Sequence, residues 1–193
     1  MEKENYLHQL GKDTAISAGL AAYINYVITA QPFPAKQILP LNQSGLNITS
    51  LISQGSARLF LKGEEYQEQT LLFFQENSFP GLERNLHLLA ESTLYLEFLE
   101  ESEIMMLPDD HIANLFRLFP EFPNIQNDLN RTLNQTLLNH QLQLSLYDSY
   151  ERYEKFLKEY AHISLVCEQK KIASYLGIDP KTLSRLRGRP RRK

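Results

Sequence analysis

Between residues 31 and 106 the apolar positions fall in short runs of strand length, 37–41, 47–52, 57–62, 68–74, 93–98 and 103–107, rich in β-formers. Gly45, Gly55, Gly63 and Gly81 punctuate them. Several short strands at roughly ten-residue spacing predict an antiparallel roll or barrel. Ahead of them, residues 15–30 are apolar for long stretches but interrupted by Ser17, Asn25 and Thr29. That segment falls short of a membrane span, lacks a signal peptide's basic start, and reads as an amphipathic or buried helix.

After Pro108 the period becomes helical. Asp109 and Asp110 open a short helix carrying Ile112, Leu115 and Phe116, which Pro120 and Pro123 are expected to end. A long helix follows from about Asn124, with Ile125, Leu129, Leu133, Leu137, His140 and Leu144 on one stripe and Asn127, Asn130, Asn134 and Gln141 off it. Such a stripe needs a partner, either the roll or the same helix of a second chain. Residues 148–160 predict a further helix with Tyr153, Phe156, Leu157 and Tyr160 on one side.

The C-terminal pattern is the most specific. Ile172, Ala173 and Leu176 share one helical face, Gly177 can take the positive φ of a tight turn, and Asp179-Pro180 supplies an N-cap with proline at the first helical position. Leu183 and Leu186 give the second helix its own apolar face, leaving Lys181, Thr182, Ser184 and Arg185 for solvent. These are the features of a helix-turn-helix whose second helix reads the major groove. An ordinary αα-hairpin with a solvated basic face is the plain alternative, and the agreement of cap, turn and small-residue positions argues against it.

Charge sharpens this picture. Of 20 basic and 23 acidic residues, seven basic and no acidic ones lie from Lys181 to Lys193, leaving 13 basic against 23 acidic before them. A phosphate backbone meets only the C-terminal end favourably. The single cysteine, Cys167, excludes an internal disulfide framework and a Cys-only cluster within one chain, and fits a cytoplasmic setting. Enzyme motifs are missing: no Gly-rich phosphate loop, no G-x-S-x-G, no H-E-x-x-H. The pairs Glu64-Glu65 and Glu100-Glu101 read as solvated turn and strand-edge residues, and Leu71 to Phe74 as core. No enzyme activity, cofactor or metal site is expected.

Three stretches resemble a known family. Ile-Ser-Gln-Gly-Ser-Ala-Arg-Leu at 52–59 is similar to a strand-turn-strand signal "ISxGxxRL", Leu-Glu-Glu-Ser-Glu-Ile at 99–104 to an end-of-roll strand "LEDSEV", and residues 172–185 to "IAxxLGIxPETLSR". With a roll, a long helix and a helix-turn-helix in that order, the chain resembles the Crp/Fnr-type transcription regulators over nearly its whole length. The resemblance implies an α+β fold: an N-terminal antiparallel β-roll, cyclic-nucleotide-binding-like, over 12–123; a dimerisation helix over 124–146; and a helix-turn-helix with a basic tail, a truncated winged helix, over 147–193. It implies a homodimer on double-stranded DNA, seamed by Ile125, Leu129, Leu133, Leu137, His140 and Leu144, and RNA polymerase as a further partner. Lys170, Lys171, Lys181, Thr182, Ser184, Arg185, Arg187, Arg189, Arg191 and Arg192 are the expected DNA contacts, Arg185 as a bidentate reader of guanine and the outlying Lys and Arg residues on phosphates.

Departures from the family matter equally. Family members that bind a cyclic nucleotide carry a Gly-Glu pair for the ribose and an Arg for the cyclic phosphate. The matching stretch here is Phe79-Pro80-Gly81-Leu82-Glu83-Arg84, with Leu82 where the acid is expected, and Ser92, followed by Thr93, stands at the Arg. Without that guanidinium the phosphate loses a charge-assisted bidentate contact, so a degenerate pocket that does not bind cyclic AMP is expected. His87 is a conceivable haem ligand, though a single histidine near a loop is more often structural. Where relatives continue into a β-hairpin wing, residues 187–193 instead resemble an AT-hook, with phosphate contact as the plain alternative. A reading from another class is a protein-interaction module built on the roll, with a vestigial helix-turn-helix.

Overall fold

The computed structural model describes residues 2–62, 68–81 and 93–188. Two helices lead the chain, α1 (Glu2–Leu10) and α2 (Ala18–Val27), the second capped by Ser17, whose side chain accepts from the Leu20 amide. Seven strands follow: β1 (Thr29–Phe33), β2 (Ile38–Pro40), β3 (Leu51–Gln54), β4 (Ala57–Lys62), β5 (Gln69–Phe74), β6 (Thr93–Phe98) and β7 (Ser102–Met106). They form two antiparallel sheets, ordered β1-β7-β3 and β2-β6-β4-β5. The chain passes between sheets at Gly55, where φ is +91° and a Cβ would lie 2.3 Å from Ser102 Oγ, so only glycine fits.

Period-two alternation places Ala57, Leu59, Leu72, Phe74, Leu94, Leu96 and Phe98 inside the roll, where Phe33 stacks on Phe98 at 4.3 Å. A second core lies against the first sheet, where Tyr6, Leu10, Leu20 and Ile24 meet Leu51, Met105 and Leu107. The Tyr6 hydroxyl, fully buried, donates to the Thr49 carbonyl at 2.8 Å. Helix α1 precedes residue 12, where the sequence-based roll begins, yet it belongs to this core. Strand β1 was also not anticipated, because its first residues continue the apolar run of α2. Residues 47–50, expected as strand, form a turn in which Asn47 Oδ1 accepts from the Thr49 amide at 3.0 Å.

The helical half comprises α3 (Asp109–Leu118), α4 (Phe122–Leu146), α5 (Ser149–Glu159), the single turn α6 (Ile163–Val166), α7 (Gln169–Tyr175) and α8 (Pro180–Arg187). Pro123 sits in the first turn of α4 rather than ending a helix, since a first-turn proline forfeits no intrahelical bond. Asp148 opens α5 through a reciprocal capping box with Glu151.

The stripe on α4 expected as a dimer seam faces its own chain. Ile125 is fully buried and Leu129 packs beside it in the second core, Leu133 packs on the roll interior, His140 stacks on Tyr175, and Leu144 lies 3.1 Å from a Cβ built on Gly177. The roll and the helix-turn-helix each offer an apolar face to this stripe, on which Leu129, Leu133, His140 and Leu144 are partly buried. Only Leu137 stays exposed, with Leu138, Leu142 and Leu146 on the outward side, where Leu146 is 72% accessible.

Candidate nucleic-acid interface

Helices α7 and α8 form the predicted helix-turn-helix. Gly177 has φ +61°, and the α7 end closes with the Ile178 amide donating to Ala173 O at 3.0 Å and the Gly177 amide to Ser174 O at 3.1 Å. This closure satisfies carbonyls that the helix end would otherwise leave bare. Asp179 caps α8 by accepting from the Lys181 amide at 2.7 Å, and Pro180 supplies the first helical residue. Ala173, Leu183 and Leu186 are buried between the helices. Arg152 of α5 ties the turn to the end of α4, donating to Leu176 O at 2.9 Å and Tyr147 O at 2.5 Å.

Burial of Leu183 and Leu186 turns Lys181, Ser184, Arg185 and Arg187 outward, with Thr182 half-buried beside them. Among the described residues neither Lys181, Arg185 nor Arg187 has an acidic partner. Lys170 is exposed at the start of α7. Arg189, Arg191 and Arg192 lie outside the described residues, as do Leu82, Glu83, Arg84 and Ser92 of the degenerate pocket, Glu64 and Glu65, and His87. The two remaining pocket residues are described: Thr93 opens β6, and Gly81 lies against the backbone of Asn47, where a Cβ would come within 1.8 Å of its carbonyl oxygen.

Lys171 departs from its expected role. It is 12% exposed, its Nζ 2.7 Å from Glu97 Oε1 and 2.8 Å from Glu168 Oε1. Burial opposes its charge, but hydrogen bonds to Glu168 and Glu97 outweigh that and hold its pKa above the usual lysine value. The same bond holds the Glu168 carboxyl below its ordinary range. An ammonium shared by two carboxylates of its own chain is not free for a phosphate.

This pairing belongs to a larger contact that the sequence reading missed. The outer face of the four-stranded sheet carries Arg58 of β4, Glu97 of β6 and Phe73 of β5 in one cross-strand row. Arg58, 1% exposed, bonds through Nε to Glu97, through Nη1 to Thr70 Oγ1 at 3.0 Å and through Nη2 to Glu68 at 2.6 Å, and lies over the Phe60 ring at 4.1 Å. Its guanidinium holds the Glu68 carboxyl below the usual range. Helix α7 docks on this face: Ser174 Oγ accepts from the Thr70 amide at 3.0 Å, and Gln69 Nε2 donates to Ser174 O at 2.8 Å. Phe73 enters the core of the C-terminal unit, its ring 4.9 Å from that of Tyr175. Glu100, expected to be solvated, accepts from Ser56 Oγ and lies 2.9 Å from His162 Nε2. The available signal was a charge at alternating positions of two otherwise apolar strands, Arg58 and Glu97, beside consecutive phenylalanines.

No helix among the described residues is long and apolar enough to cross a membrane, and no described group of His, Cys, Asp and Glu could hold a metal ion. No family model matches the sequence, and no curated protein matches it significantly. Solved structures do. A protein described as a transcriptional regulator of the Crp/Fnr family from Eubacterium rectale is 15% identical, with a TM-score of 0.70 over 94% of this chain and 85% of that one. FixK2 from Bradyrhizobium japonicum is 16% identical, with a TM-score of 0.67 over 83% and 82%. A CooA mutant from Carboxydothermus hydrogenoformans is 20% identical, with a TM-score of 0.60 over 94% and 82%. The chain therefore has the fold of the Crp/Fnr-type regulators, across both the roll and the helical half.

Proposed function

We propose that the protein is a sequence-specific DNA-binding transcription regulator of the Crp/Fnr type, working in the cytoplasm. The observation that carries this reading is α8: a capped helix anchored by Leu183 and Leu186 that presents Lys181, Ser184, Arg185 and Arg187 with no acidic partner among the described residues. A helix of this width enters the major groove, where Arg185 can address guanine and Lys181 a phosphate. Lys170 and the tail residues Arg189, Arg191 and Arg192 add phosphate contacts. Two half-sites need two copies of the reader. The dimer forms through the outward side of α4, where Leu138, Leu142 and Leu146 recur at four-residue spacing and are all exposed. RNA polymerase is the further partner that this role implies.

The roll acts as a sensor whose cyclic-nucleotide pocket is degenerate at Leu82 and Ser92. Calorimetry with cyclic AMP is expected to show nothing tighter than about millimolar, and micromolar affinity would contradict the pocket assignment. The function itself is tested by selection from a random duplex library with the wild-type protein. Enrichment of a bipartite motif is expected. Absence of any enriched sequence at every salt concentration would shift the choice to the protein-interaction module.

A further inference from the structure

We propose that the cleft where the roll, α4 and the end of α5 meet binds a small organic ammonium, a positive charge carried on a largely apolar body. The cleft has a volume of about 480 Å³, within the range that encloses a drug-sized ligand. None of its lining residues belongs to the degenerate cyclic-nucleotide pocket. Its walls are set by the fold. On the roll side the chain leaves β5 and turns through Asn77, whose φ is +66° and whose amide donates to Ile52 O at 2.9 Å. Asn77 Oδ1 accepts from Asn5 Nδ2 at 2.6 Å, which ties this turn to α1. Leu10, Lys12 and Asp13 then supply the neighbouring wall. Helix α4 closes the opposite side through Leu129, Thr132, Leu133 and Thr136, and Glu159 and Tyr160 complete the rim.

Three observations select the ligand's charge. First, Asp13, Asp128 and Glu159 line the cleft against Lys12, and Arg131 at its edge binds Asp13 at 3.4 Å and Asp128 at 2.8 Å. Even with Arg131 counted, acids outnumber bases among the described residues there. In a partly apolar setting such an excess repels an anion and attracts a cation more strongly than it would in bulk water. Second, the hydroxyls that α4 contributes have already used their protons. Thr132 Oγ1 donates to Asp128 O at 3.0 Å and Thr136 Oγ1 to Thr132 O at 2.9 Å, so toward a ligand both can only accept, as carboxylates do. An ammonium N–H supplies the missing donor. Third, Phe73, Phe74, Phe79 and Tyr160 give the cleft an aromatic lining, which favours a cation and buries an apolar body. These features stand on the cavity alone, so the site does not depend on the DNA-binding reading above.

The test is a fluorescence titration of the full chain, without DNA and at low salt, with three probes that share one fluorophore and differ in charge. Dansylcadaverine is a cation, dansylamide is neutral and dansylglycine is an anion. Dansylcadaverine is expected to bind tightest, dansylamide roughly three- to tenfold more weakly, and dansylglycine more weakly still. Thr132→Trp, at an exposed position of α4, fills the cleft and should weaken dansylcadaverine and dansylamide by about tenfold or more while keeping the wild-type melting temperature. Glu159→Gln, isosteric and exposed, should weaken dansylcadaverine about threefold and leave dansylamide unchanged. Dansylamide or dansylglycine binding as tightly as dansylcadaverine overturns the cation assignment, as does equal binding of dansylcadaverine by wild type and Glu159→Gln. Wild-type affinity in Thr132→Trp, or a wild-type protein that brightens none of the three probes, overturns the site. Should Thr132→Trp melt low, Glu159→Gln with its paired probes still decides.

Discussion

The two helices of the helix-turn-helix carry similar charges and treat them oppositely. On α7, Lys171 is spent on Glu97 and Glu168. On α8, Lys181, Arg185 and Arg187 meet no acid among the described residues. Counting basic residues along the sequence cannot tell these apart, because availability depends on which face the rest of the chain covers. The same contrast divides α4, whose inner stripe is used by the roll and the C-terminal unit while Leu138, Leu142 and Leu146 face outward.

The docked side should respond first as a matter of stability. Phe73 is 3% exposed and belongs to a strand of the roll while packing in the core of the other unit. Phe73→Ala is expected to cost about 3–5 kcal/mol and to split one denaturant transition into two. A loss below about 1 kcal/mol would show that the units are not coupled through this ring.

Contrasting substitutions on α4 separate its two faces. Leu138→Lys with Leu142→Lys should leave the fold intact, give monomers in sedimentation and remove specific DNA binding. Leu133→Lys, on the inner face, should lower the melting temperature by burying an unpaired charge. A dimer that survives the outer pair of changes would place the seam elsewhere.

A smaller effect is expected at the junction of α4 with α7. His140 stacks on Tyr175 at 4.0 Å and 8°, and its Nδ1 has no hydrogen-bond partner among the described residues. Burial, with Arg152 nearby, pulls its pKa below the ordinary value of 6.5. A base whose folded pKa is depressed binds its proton more readily when unfolded, so stability is full above about pH 6.5 and falls as pH drops from there toward the folded pKa. Glu68 and Glu168, whose pKa values are also lowered, extend the acid loss below the ordinary carboxylate range. His140→Phe retains the ring and should flatten the slope between pH 6.5 and the folded value. An unchanged slope would assign the acid sensitivity to the carboxylates.

Much of this was legible in the chain. Local rules sufficed for the turn at Gly177, the Asp179 cap and the alternation of Ala57, Leu59, Leu72 and Phe74, because each depends on neighbours a few residues away. The stripe on α4 was found, and the roll and a second chain were both open as its partner. Periodicity reveals that a face is apolar, and says nothing of whether Leu133 meets the roll or a second helix. The Arg58–Glu97–Lys171 network joins positions 39 and 74 residues apart, so no local pattern announces it. Lys171 consequently looked like one more phosphate contact beside Lys170.

Sequence-specific function depends most directly on α8 as the reader of base edges. The affinity of wild type and Arg185→Ala should be measured on a selected duplex and on its scrambled counterpart under the same salt. Arg185→Ala is expected to lose about 1–3 kcal/mol on the selected duplex and far less on the scrambled one. Equal losses on both duplexes, or a wild-type protein with no preference between them, would contradict it.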